Sequence, residues 1–177
     1  MWDIYVREVL THLSRDTNIT REFKMALRIV PITITTLFLT AGVAAARCPD
    51  YAQSGSGHSV SSESLYSETR MSVRAGGGVD LGTCSEAPGV GHVSEAPDFT
   101  LNYQRTGSYN VRFRSQGNCD TVILINDAAG NWHWDDDTGP DAEVTLGNPK
   151  SGYIDVWVGT YGGELCNATL VMESFDR

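Results

Sequence analysis

Residues 99–125 read FTLNYQRTGSYNVRFRSQGNCDTVILI, and three strands are legible in them. Phe99, Leu101 and Tyr103 alternate with Thr100, Asn102 and Gln104. Successive side chains of a strand point to opposite faces, so this segment has one apolar and one polar face. Tyr109, Val111 and Phe113 alternate with Asn110, Arg112 and Arg114 in the same way. Thr121 to Ile125 is apolar without alternation, the pattern of a strand covered on both faces in the middle of a sheet.

The pattern continues on both sides of a strong turn. Asn126-Asp127-Ala128-Ala129-Gly130-Asn131 carries the residues of a hairpin connection and should return the chain from Ile125 into Trp132. Ile154, Val156 and Val158 share one face of a later strand, and Ala168 to Met172 forms the last. Gly147-Asn148-Pro149, Ser151-Gly152 and Gly162-Gly163 mark the loops between them. No helical periodicity stands out after Arg47. Several short strands at this spacing predict an all-β fold, an antiparallel β-sandwich of two packed sheets. The segment Tyr51 to Glu68 is poorer in apolar residues and rich in Ser and Gly, which suits either a flexible lead-in or a loosely held edge strand. Ser85-Glu86-Ala87-Pro88 recurs as Ser94-Glu95-Ala96-Pro97, a local duplication within a loop rather than a repeat architecture.

The front of the chain has a different character. Residues 29–46 read IVPITITTLFLTAGVAAA, apolar and uncharged, with Lys24 and Arg28 before them and Ala44-Ala45-Ala46 at their end. A positive flank, a short apolar stretch and a small-residue cleavage site describe a secretory signal peptide, and Pro31 and the threonines favour export over a membrane anchor. The expected organisation is therefore an upstream extension over 1–24, with translation starting at Met25, and a signal peptide over 25–46. Strands with a Ser/Gly-rich lead-in follow over 47–97, and the sandwich proper over 98–177. A long n-region, or a retained amphipathic helix over Trp2 to Leu13, is the alternative reading of the first segment. Export predicts a periplasmic or secreted protein with no stable membrane span after cleavage.

From Arg47 onward eighteen Asp and Glu face eight Lys and Arg, a net charge of −10. Nucleic acid and anionic lipid surfaces both need a basic footprint, so this balance argues against them. It suits divalent cations, basic partners or a merely solvated acidic surface. Cys48, Cys84, Cys119 and Cys166 all lie after the expected cut. An even count in an exported domain predicts two disulfides, for which three connectivities exist. Cys48 with Cys84 and Cys119 with Cys166 keeps each bridge within one half of the chain. A zinc site would want paired C-x-x-C spacing, which is absent.

The words Cys119-Asp120-Thr121-Val122-Ile123-Leu124, Asn126-Asp127, Gly130-Asn131-Trp132 and Asp135-Asp136-Asp137 follow one another along the chain. Gly152-Tyr153-Ile154-Asp155-Val156-Trp157-Val158-Gly159 and Ala168-Thr169-Leu170-Val171-Met172 complete the series. In their order these words resemble the bacterial pre-peptidase C-terminal domain family, over roughly residues 98–175. The resemblance implies a jelly-roll-like β-sandwich of the kind appended to secreted proteases and other hydrolases. It implies a non-catalytic domain, some of whose relatives hold calcium and attach to extracellular polymers.

Two clusters carry candidate chemistry. The first is acidic. Calcium takes six to eight oxygen ligands, and consecutive aspartates repel one another unless a cation relieves them. Ca2+ is accordingly expected at Asp120, Asp135, Asp136, Asp137 and Asp141, with Asp127 as a further ligand. Asp120 should reach the same end as Asp135 to Asp137 if Thr121–Ile125 pairs with Asn131–Trp134. The spacing is not that of an EF-hand, and the same acids also suit turn capping and a soluble sheet edge. The second cluster is aromatic: Trp132, Trp134 and Tyr161 are candidate binding residues, since exposed rings stack on sugars or anchor a protein partner. Core packing is the competing role, with Trp132 closest to the turn.

An enzyme is not expected. Only His58, His92 and His133 follow Arg47 as candidate bases, and no Gly-x-Ser-x-Gly motif accompanies them. A small secreted hydrolase or peptidase-associated protein is the alternative class, and a His or carboxylate pair converging in a pocket would mark it. Asn167-Ala168-Thr169 matches a glycosylation acceptor, which carries no weight in the bacterial setting that the resemblance implies. The function expected is an exported binding and structural module that attaches to an extracellular polymer, an envelope component or a protein.

Overall fold

The computed structural model describes residues 47–136 and 141–176. The expected extension and signal peptide lie outside the described residues, as does Asp137. The described chain forms eleven strands in two sheets. In chain order these are β1 (Ser56–Ser61), β2 (Thr69–Ala75), β3 (Val79–Asp80), β4 (His92–Val93), β5 (Phe99–Gln104) and β6 (Tyr109–Gly117). They continue with β7 (Thr121–Asn126), β8 (Trp132–Asp135), β9 (Glu143–Leu146), β10 (Gly152–Thr160) and β11 (Cys166–Asp176).

The first sheet is organised about β10. One edge of β10 pairs with β5 over Gly152–Val156 and then with β4 at Thr160, while the other edge pairs with β7. β8 continues the sheet beyond β7, β1 lies outside β5, and β3 lies outside β4. The second sheet has the order β2-β11-β6-β9, antiparallel throughout. The fold is thus a β-sandwich, with one departure from the expected pattern: β1 runs parallel to β5. The Ser/Gly-rich segment before it supplies an edge strand, one whose ladder needs pairing on one side only.

The alternation read from the sequence decides which side chains meet. Phe99, Leu101, Tyr103, Ile123, Ile125, Ile154, Val156 and Val158 of the first sheet enter one cluster with Val111, Phe113, Val144, Leu146, Leu170 and Met172 of the second. β7 and β10 are buried on their other faces as well. Val122, Leu124 and Trp157 pack there beneath Leu81, Cys84 and Ala87 of the segment between β3 and β4, together with Val79 and Val93 of those two short strands. This third layer explains why residues 121–125 do not alternate. The approach is very close. A Cβ on Gly159 would stand 2.4 Å from the carbonyl oxygen of His92, and one on Gly89, whose φ is +95°, would enter the Trp134 ring.

Cys48 is joined to Cys84 and Cys119 to Cys166, with Cα separations of 5.7 and 6.4 Å. The first bridge ties the start of the described chain to the third layer, and the second joins the loop before β7 to the start of β11. The outward face of the second sheet collects arginines. Arg112 and Arg114 share Glu173, Arg112 also reaches Glu143, and Arg114 and Arg70 both meet Glu68.

A gap in the first sheet is closed by a side chain. Between the end of the β5 pairing and the start of β4, Asp98 donates its N–H to the Val156 carbonyl at 3.0 Å. Its carboxylate accepts the Val158 N–H at 2.7 Å, so it stands in for the missing strand. Burial pushes this carboxyl up to about 6, with the Val158 hydrogen bond acting the other way. The folded protein therefore holds the proton more tightly than the unfolded chain, and stability should rise as the pH falls through 6, levelling off near the unfolded value of 3.8. A gain of up to about 3 kcal/mol is expected, at 1.36 kcal/mol per pH unit of displacement. Urea midpoints at pH 7.5 and 4.5 check it. Asp98→Asn, which keeps an acceptor for Val158, should flatten the difference, and an equal slope in that variant would refute the assignment.

Candidate functional site

The expected hairpin forms as the turn residues require. Asn126 pairs with Trp132 and Ile123 with Asp135 across β7 and β8. In the turn the Asp127 N–H donates to the Asn131 carbonyl and the Gly130 N–H to the Asp127 carbonyl, with Gly130 at φ +80°. The Asp127 carboxylate gathers the rest: it accepts from the N–H groups of Ala129 and Asn131, from the Asn131 amide and from His133 Nε2 at 2.8 Å. Burial raises this carboxyl, but the hydrogen bonds from His133, Asn131 and Ala129 outweigh it and hold the group below the usual range.

This geometry separates the acids. Asp127 sits at the turn, whereas Asp120, Asp135 and Asp141 belong to the other end of β7. There the Asp120 carbonyl accepts the Tyr161 N–H, Asp135 accepts the Glu143 N–H, and Asp141 accepts the Gly117 N–H. Asp136 directly follows β8. Asp127 lies at the far end of the hairpin from these acids, and its oxygens accept N–H donors. Among the described residues no three His, Cys, Asp or Glu side chains gather as metal ligands would. Asp127→Ala should lower stability by about 0.5–1.5 kcal/mol, the net worth of turn hydrogen bonds whose freed donors are open to water. The loss should be the same in millimolar calcium and in excess chelator. A calcium-dependent loss, read by thermal unfolding, would place Asp127 in a metal site.

The aromatic residues are also divided. Trp134 lies over Gly89, and its indole N–H donates to the Val90 carbonyl at 3.1 Å. Trp132 is half-buried between the fully buried Trp157, at 5.5 Å between ring centroids, and Tyr51, at 6.0 Å. Tyr161 is exposed but follows β10, at the opposite end of that strand from Tyr153.

The largest hollow among the described residues, about 700 Å³, is a shallow one on the second sheet over Arg74, Gln116 and Asn167. A smaller concave surface with a buried polar floor lies on the outward face of the first sheet, beyond the edge of the third layer. One cross-strand row runs Gly57, Thr100, Asp155, Asn126, Trp132, one residue from each of β1, β5, β10, β7 and β8. Its middle is polar and buried, with Asp155 and Asn126 both under a tenth exposed. The Thr100 hydroxyl donates to Asp155 Oδ1 at 2.6 Å and accepts the Gly55 N–H at 2.9 Å. Burial pushes the Asp155 carboxyl upward, opposed by the Thr100 hydrogen bond. Above the row opens a groove of about 200 Å³ between Tyr51, Gln53 and Ser54 on one side and Tyr153 on the other, with Thr100 and Asp155 beneath. A second hollow of about 280 Å³ shares Ser54, Thr100 and Tyr153 with it and extends over Gly57, Ser59 and Asn102. Tyr51 and Tyr153 stand 58% and 66% exposed, and the Tyr51 ring also meets Trp132 in a T-shaped contact. Asp50 shapes the Tyr51 wall: its carboxylate accepts the Ala52 N–H, and its own N–H donates to the Glu95 carbonyl.

Sequence reasoning placed its aromatic candidates on β8, as Trp132 and Trp134, and just after β10, as Tyr161, and missed this groove. One signal was available. Asp155 interrupts an otherwise apolar strand at a position where the flanking residues are all buried, and such a carboxylate needs a local reason. Tyr51 gave no signal, because its place depends on the Cys48–Cys84 bridge and on Asp50.

No family model matches the chain, and no curated protein matches it. Among solved structures, the pre-peptidase C-terminal domain of collagenase from Bacillus anthracis is similar at 13% identity with a TM-score of 0.40, covering 68% of this chain and 98% of that one. The Aeromonas hydrophila protein PliG, a periplasmic lysozyme inhibitor of g-type lysozyme, is similar at 10% identity with a TM-score of 0.37, covering 69% of this chain and 100% of that one. Both are likenesses of fold, and neither assigns a function.

Proposed function

We propose that this chain is an exported, non-catalytic β-sandwich module that binds an extracellular partner through the groove between Tyr51 and Tyr153. The observation that carries the reading is the pairing of an exposed aromatic rim with the buried polar row Thr100–Asp155–Asn126. Fixed polar groups that converge in a concave site set orientation and specificity in recognition, and here Thr100 and Asp155 stand beneath the two tyrosines, with Gln53 and Ser54 beside them. Export is supported by the charge-free stretch at 29–46 and by two disulfides, which persist in oxidising compartments. Kinship with the pre-peptidase C-terminal domains belongs to the same proposal, and it rests on the order of the sequence words that fall on β7, β8, β10 and β11.

One contact favours the hydrolase alternative: Ser56 Oγ lies 3.1 Å from His58 Nε2. Both side chains are exposed on the edge strand β1, and among the described residues no carboxylate orients the imidazole. A serine nucleophile needs a base held in place by a third group, so the contact is read as structural. Ester turnover abolished by Ser56→Ala would reverse that reading.

Amide chemical shifts of the purified protein provide the test. Neutral probes (chitopentaose, cellopentaose) and charged ones (pentalysine, pentaglutamate) are titrated in turn. Shifts centred on Thr100, Tyr153 and Asp155 with any probe support the groove. Shifts confined to the hollow on the outward face of the second sheet, where Arg74 of β2 pairs with Asn167 of β11, or none with any probe, would overturn it.

A further inference from the structure

We infer that the groove is a receptor for an organic cation, the ammonium or guanidinium head of a basic polypeptide side chain seated between Tyr51 and Tyr153 on the carboxylate of Asp155. The inference rests on the groove reading above and names the chemistry of its ligand.

Asp155 is a carboxylate without a counter-charge. Among the described residues no Lys, Arg or His stands within ion-pair distance of it, and its hydrogen bond comes from the neutral hydroxyl of Thr100. Buried charges in proteins are paired or hydrogen-bonded because leaving water is costly. Here the carboxylate is buried at the foot of an open groove, so a ligand is able to supply the missing charge. The walls suit the same ligand. A cation over the face of an aromatic ring is attracted by the ring quadrupole, and two exposed tyrosines flank the approach to Asp155.

The wider charge distribution points the same way. Four arginines, Arg70, Arg74, Arg112 and Arg114, stand on the outward side of the second sheet, and no Lys or Arg lines either hollow of the groove. With a net charge of −10 from Arg47 onward, the molecule draws basic partners, although His58 borders the second hollow and Arg105 and Lys150 lie by the strand ends next to Tyr153. A neutral sugar would use the tyrosines and the hydroxyl of Thr100 but would leave Asp155 without compensation.

The test uses the purified protein, pentalysine as the cationic probe and chitopentaose as the neutral one. Amide shifts and Trp fluorescence are read together, since Trp132 touches Tyr51. Pentalysine should shift Thr100, Tyr153 and Asp155. Asp155→Asn keeps the side-chain shape and removes the charge, and it should weaken pentalysine binding by roughly tenfold or more. Tyr153→Ala, at an exposed position that the fold does not need, should weaken it as well. Pentalysine binding undiminished in Asp155→Asn, and abolished only by salt, would mean a diffuse acidic surface and would overturn the inference. Chitopentaose bound in the groove, equally by wild type and Asp155→Asn, would also overturn it while leaving the groove reading intact. Silence of the groove toward every probe would sink both.

Discussion

Trp157→Ala should lower the stability of the protein by about 3–5 kcal/mol, among the largest losses available to a single substitution. Trp157 is fully buried, and it packs on the side of β10 that faces away from the main core. Its ring fills the space between the first sheet and the layer of Val79, Leu81, Cys84, Ala87 and Val93. Removing it leaves a cavity that the layer cannot close, because the backbone already touches the sheet at Gly159. Trp157→Phe should cost much less. Among the described residues the indole N–H has no hydrogen-bond acceptor, so the smaller ring also removes an unsatisfied donor. Urea midpoints of the two variants separate these effects. A loss under about 1 kcal/mol for Trp157→Ala would mean that the outer layer does not pack on the sheet in solution.

Legibility in the sequence followed the strength of the local pattern. β5 and β6 were visible because their inward residues alternate with polar ones, β10 because Ile154, Val156 and Val158 recur at every second position, and β7 because it does not alternate at all. The hairpin was visible because Asp127, Gly130 and Asn131 are the residues that such a turn needs. β3 and β4 were not, since two-residue strands carry no period. β2 was missed although Met71 and Val73 alternate with Arg70, Ser72 and Arg74, because arginine on the outward face weakens an apolar signal. The parallel pairing of β1 had no local signature either, since strand direction is set by the path of the chain between elements.

The candidate site was legible only in fragments. Trp132 was singled out, and it does border the groove region through Tyr51. The acidic residues drew attention because they are adjacent in sequence, yet the structure uses Asp127, Asp135 and Asp141 to receive backbone N–H groups. Asp155 is a single carboxylate and drew none. Its importance comes from register: it lies between Thr100 and Asn126 across three strands, a relation that the linear sequence does not display.

Loss of either disulfide should lower stability by about 4 kcal/mol on the chain-entropy account, yet the two losses should differ in what they do to binding. The loops closed are similar, spanning 36 residues for Cys48–Cys84 and 47 for Cys119–Cys166, so the entropic terms nearly coincide. Their positions do not. Cys119–Cys166 lies toward the Thr121 and Thr160 ends of β7 and β10, whereas the groove lies toward Asn126 and Gly152. Cys48 is three residues from Tyr51, and Cys84 is anchored in the outer layer. Replacing Cys48 and Cys84 together by Ala releases the wall that carries Tyr51, leaving the Asp50 and Arg47 contacts with Glu95 to hold it. Groove binding should then fail at temperatures where circular dichroism still reports an intact sandwich. Replacing Cys119 and Cys166 by Ala should lower the melting temperature comparably and leave binding unchanged below it. Equal loss of binding in both double variants would show that the groove depends on global stability alone. Binding retained without Cys48–Cys84 would remove Tyr51 from the site and leave Tyr153 and Asp155 to carry it.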